Sequence, residues 1–176
     1  GVVLLLQPMV PNGRPNMISW VAARNDAPNY GAVHVFRYPQ DTAVRGPTQI
    51  ESQIQADPII SAQRTLWDQA GSTVVFGHLI VVPVQNSTVY LQPVFLQSTQ
   101  SAFPAFQKII VATSTKIVWG GTLSEALIPW RDMISGGRPA VVYCSMAKKW
   151  WMQPSGEIGN PYFGQSMATC GQVVGN

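Results

Sequence analysis

The segment Thr73–Gln97, TVVFGHLIVVPVQNSTVYLQPVFLQ, decides the fold class of this chain. Valine, isoleucine, threonine and aromatic residues dominate both of its halves, and these side chains are typical of β-strands. The polar residues 85–87 separate the two apolar runs, which predicts an antiparallel hairpin. Pro83 and Pro93 lack a backbone N–H group, so we expect both prolines at strand ends or at a sheet edge.

The chain on both sides of the hairpin predicts further strands and helices. Gly, Pro and Asn residues separate the strands, and Thr or Asp precedes each helix as a candidate N-cap. The predicted elements are strands at 1–10, 17–23, 33–38, 108–112 and 116–119, and helices that begin near Thr48, Asp57 and Thr122. The predicted fold class is therefore α+β, mainly an antiparallel sheet with two or three helices.

The helix that begins at Pro58 gives a specific expectation about the core. Ile59, Ala62 and Leu66 are three and four residues apart, which is the spacing of one helix face. We expect this face, together with Ile60, to contact the core.

A glycine-rich segment at 136–139 separates this α+β region from a small C-terminal module rich in cysteine, methionine and aromatic residues. We therefore predict two domains, residues 1–135 and 136–176. The module contains the stretch Tyr143–Cys170, YCSMAKKWWMQPSGEIGNPYFGQSMATC. Both cysteines of the chain and three of its six methionines lie in this stretch.

These sulfur-bearing side chains form a candidate site for a soft metal ion. Cys144 and Met146 are two residues apart, so a strand would project both sulfurs from one face. Met167 and Cys170 are three residues apart, so one helical turn would place them on one side. The turn-rich connector between the pairs can fold the second onto the first, and Met152 is a further thioether. Thiolates and thioethers suit Cu(I) better than Mg²⁺ or Ca²⁺.

A disulfide between Cys144 and Cys170 is the alternative interpretation. Closing a loop of this size stabilises a fold by about 3 kcal/mol, and two cysteines in an oxidising compartment usually pair. Both interpretations stay open, because they can be redox states of one site. The aromatic residues that would shield a bound ion from solvent are Trp150, Trp151, Tyr162 and Phe163.

The amino-acid composition narrows the binding partners and the compartment expected for this protein. Charged residues make up only 11% of the chain and the net charge is +3. The basic residues are scattered, with Lys148 and Lys149 the only adjacent pair, so no nucleic-acid binding is predicted. No apolar run approaches the ~20 residues of a transmembrane helix. Few charges with many amides and hydroxyls, and a first residue other than Met, favour a processed, exported protein in the periplasm or outside the cell.

The sequence predicts no catalytic residues and no enzymatic activity. His34 and His78 lie within strand-like runs, and the aspartates are isolated from one another. The nucleophile elbow, the zinc-protease helix, the phosphate-binding loop and the dinucleotide fingerprint are all missing from the sequence.

Residues from about 4 to 127 resemble the C-terminal soluble region of an uncharacterised family of bacterial and cyanobacterial integral membrane proteins. The stretches that carry the resemblance include 14–20, 22–26, 29–31, 46–51, 57–61, 66–67 and 90–96. The resemblance implies no activity. It does imply a possible association with a membrane protein complex.

A fragment of a larger sheet domain exposes strand edges and an apolar face, which invite pairing with another chain. We therefore predict self-association or completion by a protein partner, with Gly1–Val10 as the donated strand.

Residues from about 141 to 174 resemble a short C-terminal module of periplasmic adaptor proteins of heavy-metal (copper/silver) efflux pumps. The resemblance rests on Tyr-Cys-Ser-Met at 143–146, Asn-Pro-Tyr-Phe-Gly at 160–164 and Ser-Met-Ala-Thr-Cys-Gly at 166–171. It implies metal handling outside the cytoplasm by Cys144, Met146, Met167 and Cys170.

Two functions follow from the sequence. The first is an exported, non-enzymatic protein that binds Cu(I) or Ag(I). The alternative is a structural subunit that builds an oligomer or extracellular filament by strand pairing, with Cys144 and Cys170 joined as a disulfide.

Overall fold

A computed structural model describes residues 3–69, 71–84, 87–101, 103–133 and 138–174. The fold class is α+β, as predicted: mostly antiparallel sheet with three helices among the described residues. None of those helices is long and apolar enough to span a bilayer. The predicted turn at 85–86 and the linker residues 136–137 lie outside the described residues.

The elements in chain order are β1 (Leu4–Met9), β2 (Asn16–Met17), β3 (Ser19–Arg24), β4 (Val33–Arg37), β5 (Val44–Arg45), α1 (Pro47–Ala56), α2 (Pro58–Asp68), β6 (Ser72–Phe76), β7 (Ile80–Val84), β8 (Ser87–Ser98), β9 (Ala105–Ala112), β10 (Ile117–Gly120), α3 (Leu123–Leu127), a 3-10 helix (Ile128–Met133), β11 (Ala140–Cys144), β12 (Lys149–Gln153), a 3-10 helix (Gly164–Met167) and β13 (Gln172–Val173).

The chain divides into two compact units, residues 1–117 and 118–176, and the division falls inside β10. The sequence prediction placed the boundary later, at 135/136. The earlier position has a physical reason, because α3 packs against β12 and so belongs with the C-terminal strands.

In the first unit, β8 is the central strand of an antiparallel sheet, with β9 on one side and β6 and β7 on the other. The predicted hairpin is confirmed, since β7 and β8 pair from Ile80↔Leu91 to Val84↔Ser87. The expectation for Pro93 was wrong, because this proline lies inside β8 and pairs with Ile109 of β9.

The interior position of Pro93 is possible because of a gap between β6 and β7. The Pro93 carbonyl accepts a hydrogen bond from the N–H of Gly77 at 2.8 Å, so the missing N–H of Pro93 points toward the same side. There the pairing of β6 ends at Val94 and that of β7 begins at Leu91. Gly77 is required for this contact, since a Cβ atom would lie 2.7 Å from the Pro93 ring.

Tyr90 is the largest buried side chain of this unit. Its hydroxyl donates a hydrogen bond to the backbone carbonyl of Arg45. Burial raises the pKa of Tyr90 to about 12, so the phenol stays protonated and its donor function is kept at physiological pH. This bond ties β5 to the central strand.

The N-cap prediction for α2 is confirmed, because the Asp57 carboxylate accepts hydrogen bonds from the N–H groups of Ile59 and Ile60. The predicted core face of α2 was wrong. Ile59 and Leu66 are exposed, and Ile60 is the buried isoleucine. The face predicted from 3.6-residue spacing is therefore rotated relative to the face that the sheet covers.

A second sheet of the first unit has the order β1-β3-β4. β1 pairs with β3 of its own chain over six positions, from Leu4↔Arg24 to Met9↔Ser19. β1 thus has a hydrogen-bonded partner within its own chain on one side, and the predicted pairing of Gly1–Val10 with another chain stays a prediction. β1 and β4 are the two edge strands of this sheet.

The second unit contains a sheet of order β12-β11-β13. β11 and β12 form a hairpin whose turn occupies residues 145–148. β13 returns to β11 by pairing Val142↔Val173 and Tyr143↔Gln172. Gly171 precedes β13 and has a φ of +156°, and a Cβ atom there would lie 2.6 Å from Val142. Only glycine therefore fits at the point where the chain returns to the sheet.

Candidate functional site

The candidate site is the contact between the two cysteines, whose Sγ atoms are 2.9 Å apart. Cys144 is the last residue of β11, and Cys170 lies between the second 3-10 helix and β13. Both are free thiols. The predicted approach of these two segments is confirmed, because two cysteines 26 positions apart in the sequence meet at the same point.

Asn160 holds the returning segment in place. Its side-chain amide donates a hydrogen bond to the Cys170 carbonyl at 2.6 Å, and its side-chain oxygen accepts one from the Tyr162 N–H at 2.8 Å. Its own N–H donates to the Ala168 carbonyl at 2.6 Å. Asn160 is buried, so these bonds satisfy polar groups that water does not reach. The sequence analysis missed this residue, although Asn followed by Pro is a known turn signal.

Gln153 fixes the start of the connector. Its side-chain oxygen accepts hydrogen bonds from the Trp151 indole N–H and from the Gly159 N–H, each at 3.0 Å. Its side-chain amide donates to the Glu157 carbonyl at 2.7 Å. The connector is therefore closed at both ends by amide side chains, one at Gln153 and one at Asn160. A glutamine at the end of a strand gave no sequence signal for this function.

Cys144 lies in a hydrophobic cluster with Val142 and Trp151. Phe163 and Cys170 are partly buried and pack against that cluster. Val142 and Trp151 are directly opposite each other in the β11–β12 pair, and Cys144 shares their face because it is two residues from Val142. The cluster excludes water from the Cys144 side of the sulfur contact.

The predicted aromatic shield is divided between the two faces of the sheet. Trp151 and Phe163 cover the cysteine pair, and Tyr162 packs edge-on against Trp151 with ring centroids 5.9 Å apart. Trp150 is opposite Tyr143, with ring centroids 4.6 Å apart. Side chains alternate along a strand, so Trp150 lies on the face away from Cys144 and does not shield the pair.

The three methionines differ in their relation to the pair. Met146 lies in the 145–148 turn and is 64% exposed, so the expected strand geometry with Cys144 does not form. Met152 is opposite Val141, which places it on the other face of the sheet from Cys144. Met167 is one turn from Cys170, whose N–H donates to the Met167 carbonyl at 3.1 Å. Of the three, Met167 has the backbone geometry that the sequence predicted.

The two thiols have pKa values shifted in opposite directions. The hydrogen-bonding contact with Cys170, followed by the N–H of Ala147 3.4 Å away, lowers the pKa of Cys144. The same sulfur contact, followed by burial, raises the pKa of Cys170. The surroundings therefore favour the thiolate at Cys144 over that at Cys170.

This geometry is close to that of a disulfide. The bonded distance is about 2.05 Å, so oxidation requires the sulfurs to move by less than about 1 Å. If a metal ion were bound at about 2.3 Å from both sulfurs at their present separation, the S–metal–S angle would be roughly 80°. A wider S–metal–S angle requires the two sulfurs to move apart. Among the described residues, no group of three or more His, Cys, Asp or Glu side chains is placed to hold a metal.

The N-terminal residues match a known family model. Residues 2–67 match the uncharacterised protein family UPF0182. A UPF0182 protein of Salinibacter ruber is 48% identical over 124 residues, which is 70% of this chain and 13% of the relative. One from Moorella thermoacetica is 43% identical over 124 residues, 70% of this chain and 14% of the relative. One from Prochlorococcus marinus is 41% identical over 140 residues, 80% of this chain and 14% of the relative.

These matches confirm the predicted similarity to an uncharacterised family. The chain spans about 13% of the length of the curated relatives it matches. No solved structure matches the chain. The matches give no support to the resemblance of residues 141–174 to copper-efflux adaptors, which stays a prediction.

The opposed pKa shifts predict the behaviour of a cysteine variant. In Cys170→Ala, Cys144 loses the hydrogen bond that contributes most to its lowered pKa, so the pKa of Cys144 should rise. The ultraviolet absorbance of the thiolate, followed against pH under reducing conditions, should therefore appear at higher pH than the first step of the wild-type titration. Cys170→Ser retains an O–H donor and is the matched control. An unchanged first step in Cys170→Ala would contradict this assignment.

Proposed function

We propose that this chain is a non-enzymatic structural segment whose C-terminal unit is closed by a disulfide between Cys144 and Cys170. The observation that carries the proposal is the 2.9 Å contact between two free thiols. A disulfide persists in an oxidising compartment, so the proposal includes a location in the periplasm or outside the cell.

The surroundings of the pair support a structural role for the bond. Cys144 ends a strand in a dry cluster with Val142 and Trp151, and Cys170 leads into the short strand β13. β13 pairs with β11 at only two positions, so a covalent bond one residue before Gly171 would hold the weakest strand of the sheet. The loop that it closes contains the whole connector and therefore loses considerable entropy in the unfolded chain.

The disulfide is tested by comparing the oxidised and reduced chain. Oxidation should consume both free thiols and reduce the mass by two hydrogens, and it should raise the free energy of unfolding by about 3 kcal/mol. Cys170→Ser should show no such difference between oxidising and reducing conditions. Two titratable thiols that survive air and a mild disulfide oxidant in the folded chain would overturn the proposal.

We also propose that the first unit associates with a second copy through an apolar face of the β1-β3-β4 sheet. The register places Leu5, Ala23 and Val33 in one row across the three strands, and Gln7, Val21 and Val35 in the next. Alternation puts both rows on the same side of the sheet. Leu5 is 70% exposed and Val35 is 58% exposed, which is a large apolar area to leave in water.

A concave region adjoins this face. A cavity of about 680 Å³ is lined by Met9, Val21 and Val35, with Arg14 and Arg37 among its polar residues. Apolar and polar side chains occur together in protein interfaces. The proposed association uses the sheet face, and β1 keeps its pairing with β3 of its own chain.

Light scattering after size-exclusion chromatography tests the association. The wild-type chain should show a mass above that of one chain, rising with protein concentration. Val35→Glu places a charge on the apolar face and should shift the chain toward the monomer. Leu66→Glu is the matched control, because Leu66 is similarly exposed but lies on α2. A wild-type chain that stays monomeric at high concentration would contradict the proposal.

A second candidate function is soft-metal binding by the reduced pair. It is favoured by the lowered pKa of Cys144, because the thiolate is the form that binds metal. Cys144 and Cys170 would supply two sulfurs, and Met167 is positioned one turn from Cys170. Thiolate and thioether sulfurs are ligands for Cu(I) or Ag(I).

Anaerobic titration of the reduced chain with Cu(I) against a competing chelator tests this candidate. One equivalent should bind, and the two Cys→Ser variants should lose the binding. Met167→Leu should weaken it, whereas Met152→Leu should leave it unchanged because Met152 lies on the other face of the sheet. Equal binding by the wild type and the Cys→Ser variants would rule the site out.

A further inference from the structure

We infer that Cys170 is the entry thiol of the pair, which reacts first with a small-molecule disulfide, and that Cys144 is the resolving thiol. This inference deepens the proposed function, because it states how the proposed disulfide forms. It rests on the different accessibility of two sulfurs that are already in contact.

Access distinguishes the two cysteines. Cys144 has no exposed surface, and it packs with Val142 and Trp151 in the dry cluster of the second unit. Cys170 is partly exposed, and the two residues before it, Ala168 and Thr169, are exposed. This difference in exposure favours Cys170 as the residue that an external disulfide contacts, whereas Cys144 is covered by a cluster that includes Trp151.

The pKa values taken alone would make Cys144, and not Cys170, the first sulfur to react with an external disulfide. The pKa of Cys144 is lowered and that of Cys170 is raised, so the thiolate is favoured at Cys144. An external disulfide must still make contact with the attacking sulfur, and rates of exchange depend on that access as well as on the thiolate fraction. Because Cys144 is completely covered, the sulfur that its thiolate can attack is the one it already contacts, that of Cys170 at 2.9 Å.

The reaction then proceeds in two exchanges. In chains where Cys170 is the deprotonated sulfur, its thiolate attacks one sulfur of the external disulfide, forms a mixed disulfide and releases one external thiolate, which takes up a proton. The Cys144 thiolate next attacks the Cys170 sulfur, forms the Cys144–Cys170 bond and releases the second external thiol. The two protein thiols lose two protons and two electrons in total, and the external disulfide takes up both.

The assignment of Cys170 as the entry thiol and Cys144 as the resolving thiol predicts that the mixed disulfide can be trapped. With oxidised glutathione as the probe, the folded Cys144→Ser variant should accumulate one glutathione on Cys170, because the resolving thiol is missing. Folded Cys170→Ser, in which only the covered Cys144 remains, should react more slowly by about tenfold or more. In denaturant both variants should react at similar rates, which shows that the difference comes from the fold. Mass spectrometry with peptide mapping measures all three reactions.

A measurement on the wild-type chain does not depend on the stability of either variant. A brief pulse of a thiol-alkylating reagent on the reduced, folded chain should label Cys170 before Cys144. Preferential labelling of Cys144, or equal glutathione uptake by the two folded variants, would overturn the assignment of the entry thiol. Neither result would affect the proposed disulfide, which fails only if the wild-type chain forms no internal bond.

Discussion

The second unit depends on the way in which residues 160–173 return to the strand β11. Gly171 passes so close to Val142 and Trp151 that a side chain cannot fit, and this approach aligns β13 with β11. The same approach carries Cys170 onto Cys144. The buried hydrogen bonds of Asn160 hold the segment at that position. The sulfur contact is thus a consequence of backbone packing, and the chemistry of the pair follows from the environment that this packing creates.

That environment gives two identical side chains different properties. The strand places Cys144 in a dry cluster, whereas Cys170 lies on a turn at the edge of that cluster. Cys144 receives hydrogen bonds from a thiol and from a backbone N–H, which favour its thiolate. The same contact and burial raise the pKa of Cys170. The more acidic sulfur is therefore also the less accessible one, an arrangement that suits a bond formed internally after an external reaction at its partner.

In the first unit, two departures from regular strand structure, at Pro93 and at Gly77, compensate for each other. A proline inside a central strand removes a hydrogen bond from the ladder. Here the side of Pro93 that lacks the N–H faces the gap between β6 and β7. Gly77 lies beside the proline ring, where a Cβ atom would not fit. This unit contains the region similar to the UPF0182 model, at residues 2–67. Its second sheet exposes an apolar face, which is the physical basis for the proposed association.

The sequence by itself determined the fold class, the β7–β8 hairpin, the N-cap at Asp57 and the identity of the two cysteines that meet. These features follow from local rules: side-chain period, turn residues and capping groups act within a few residues of one another. Tertiary structure alone decided which face of α2 is buried, where Pro93 is tolerated, and which methionines share a face with Cys144. It also assigned Asn160 and Gln153 their roles in the connector. These outcomes depend on partners that are distant in the chain, and the spacing of residues in a sequence does not specify which distant surfaces come together.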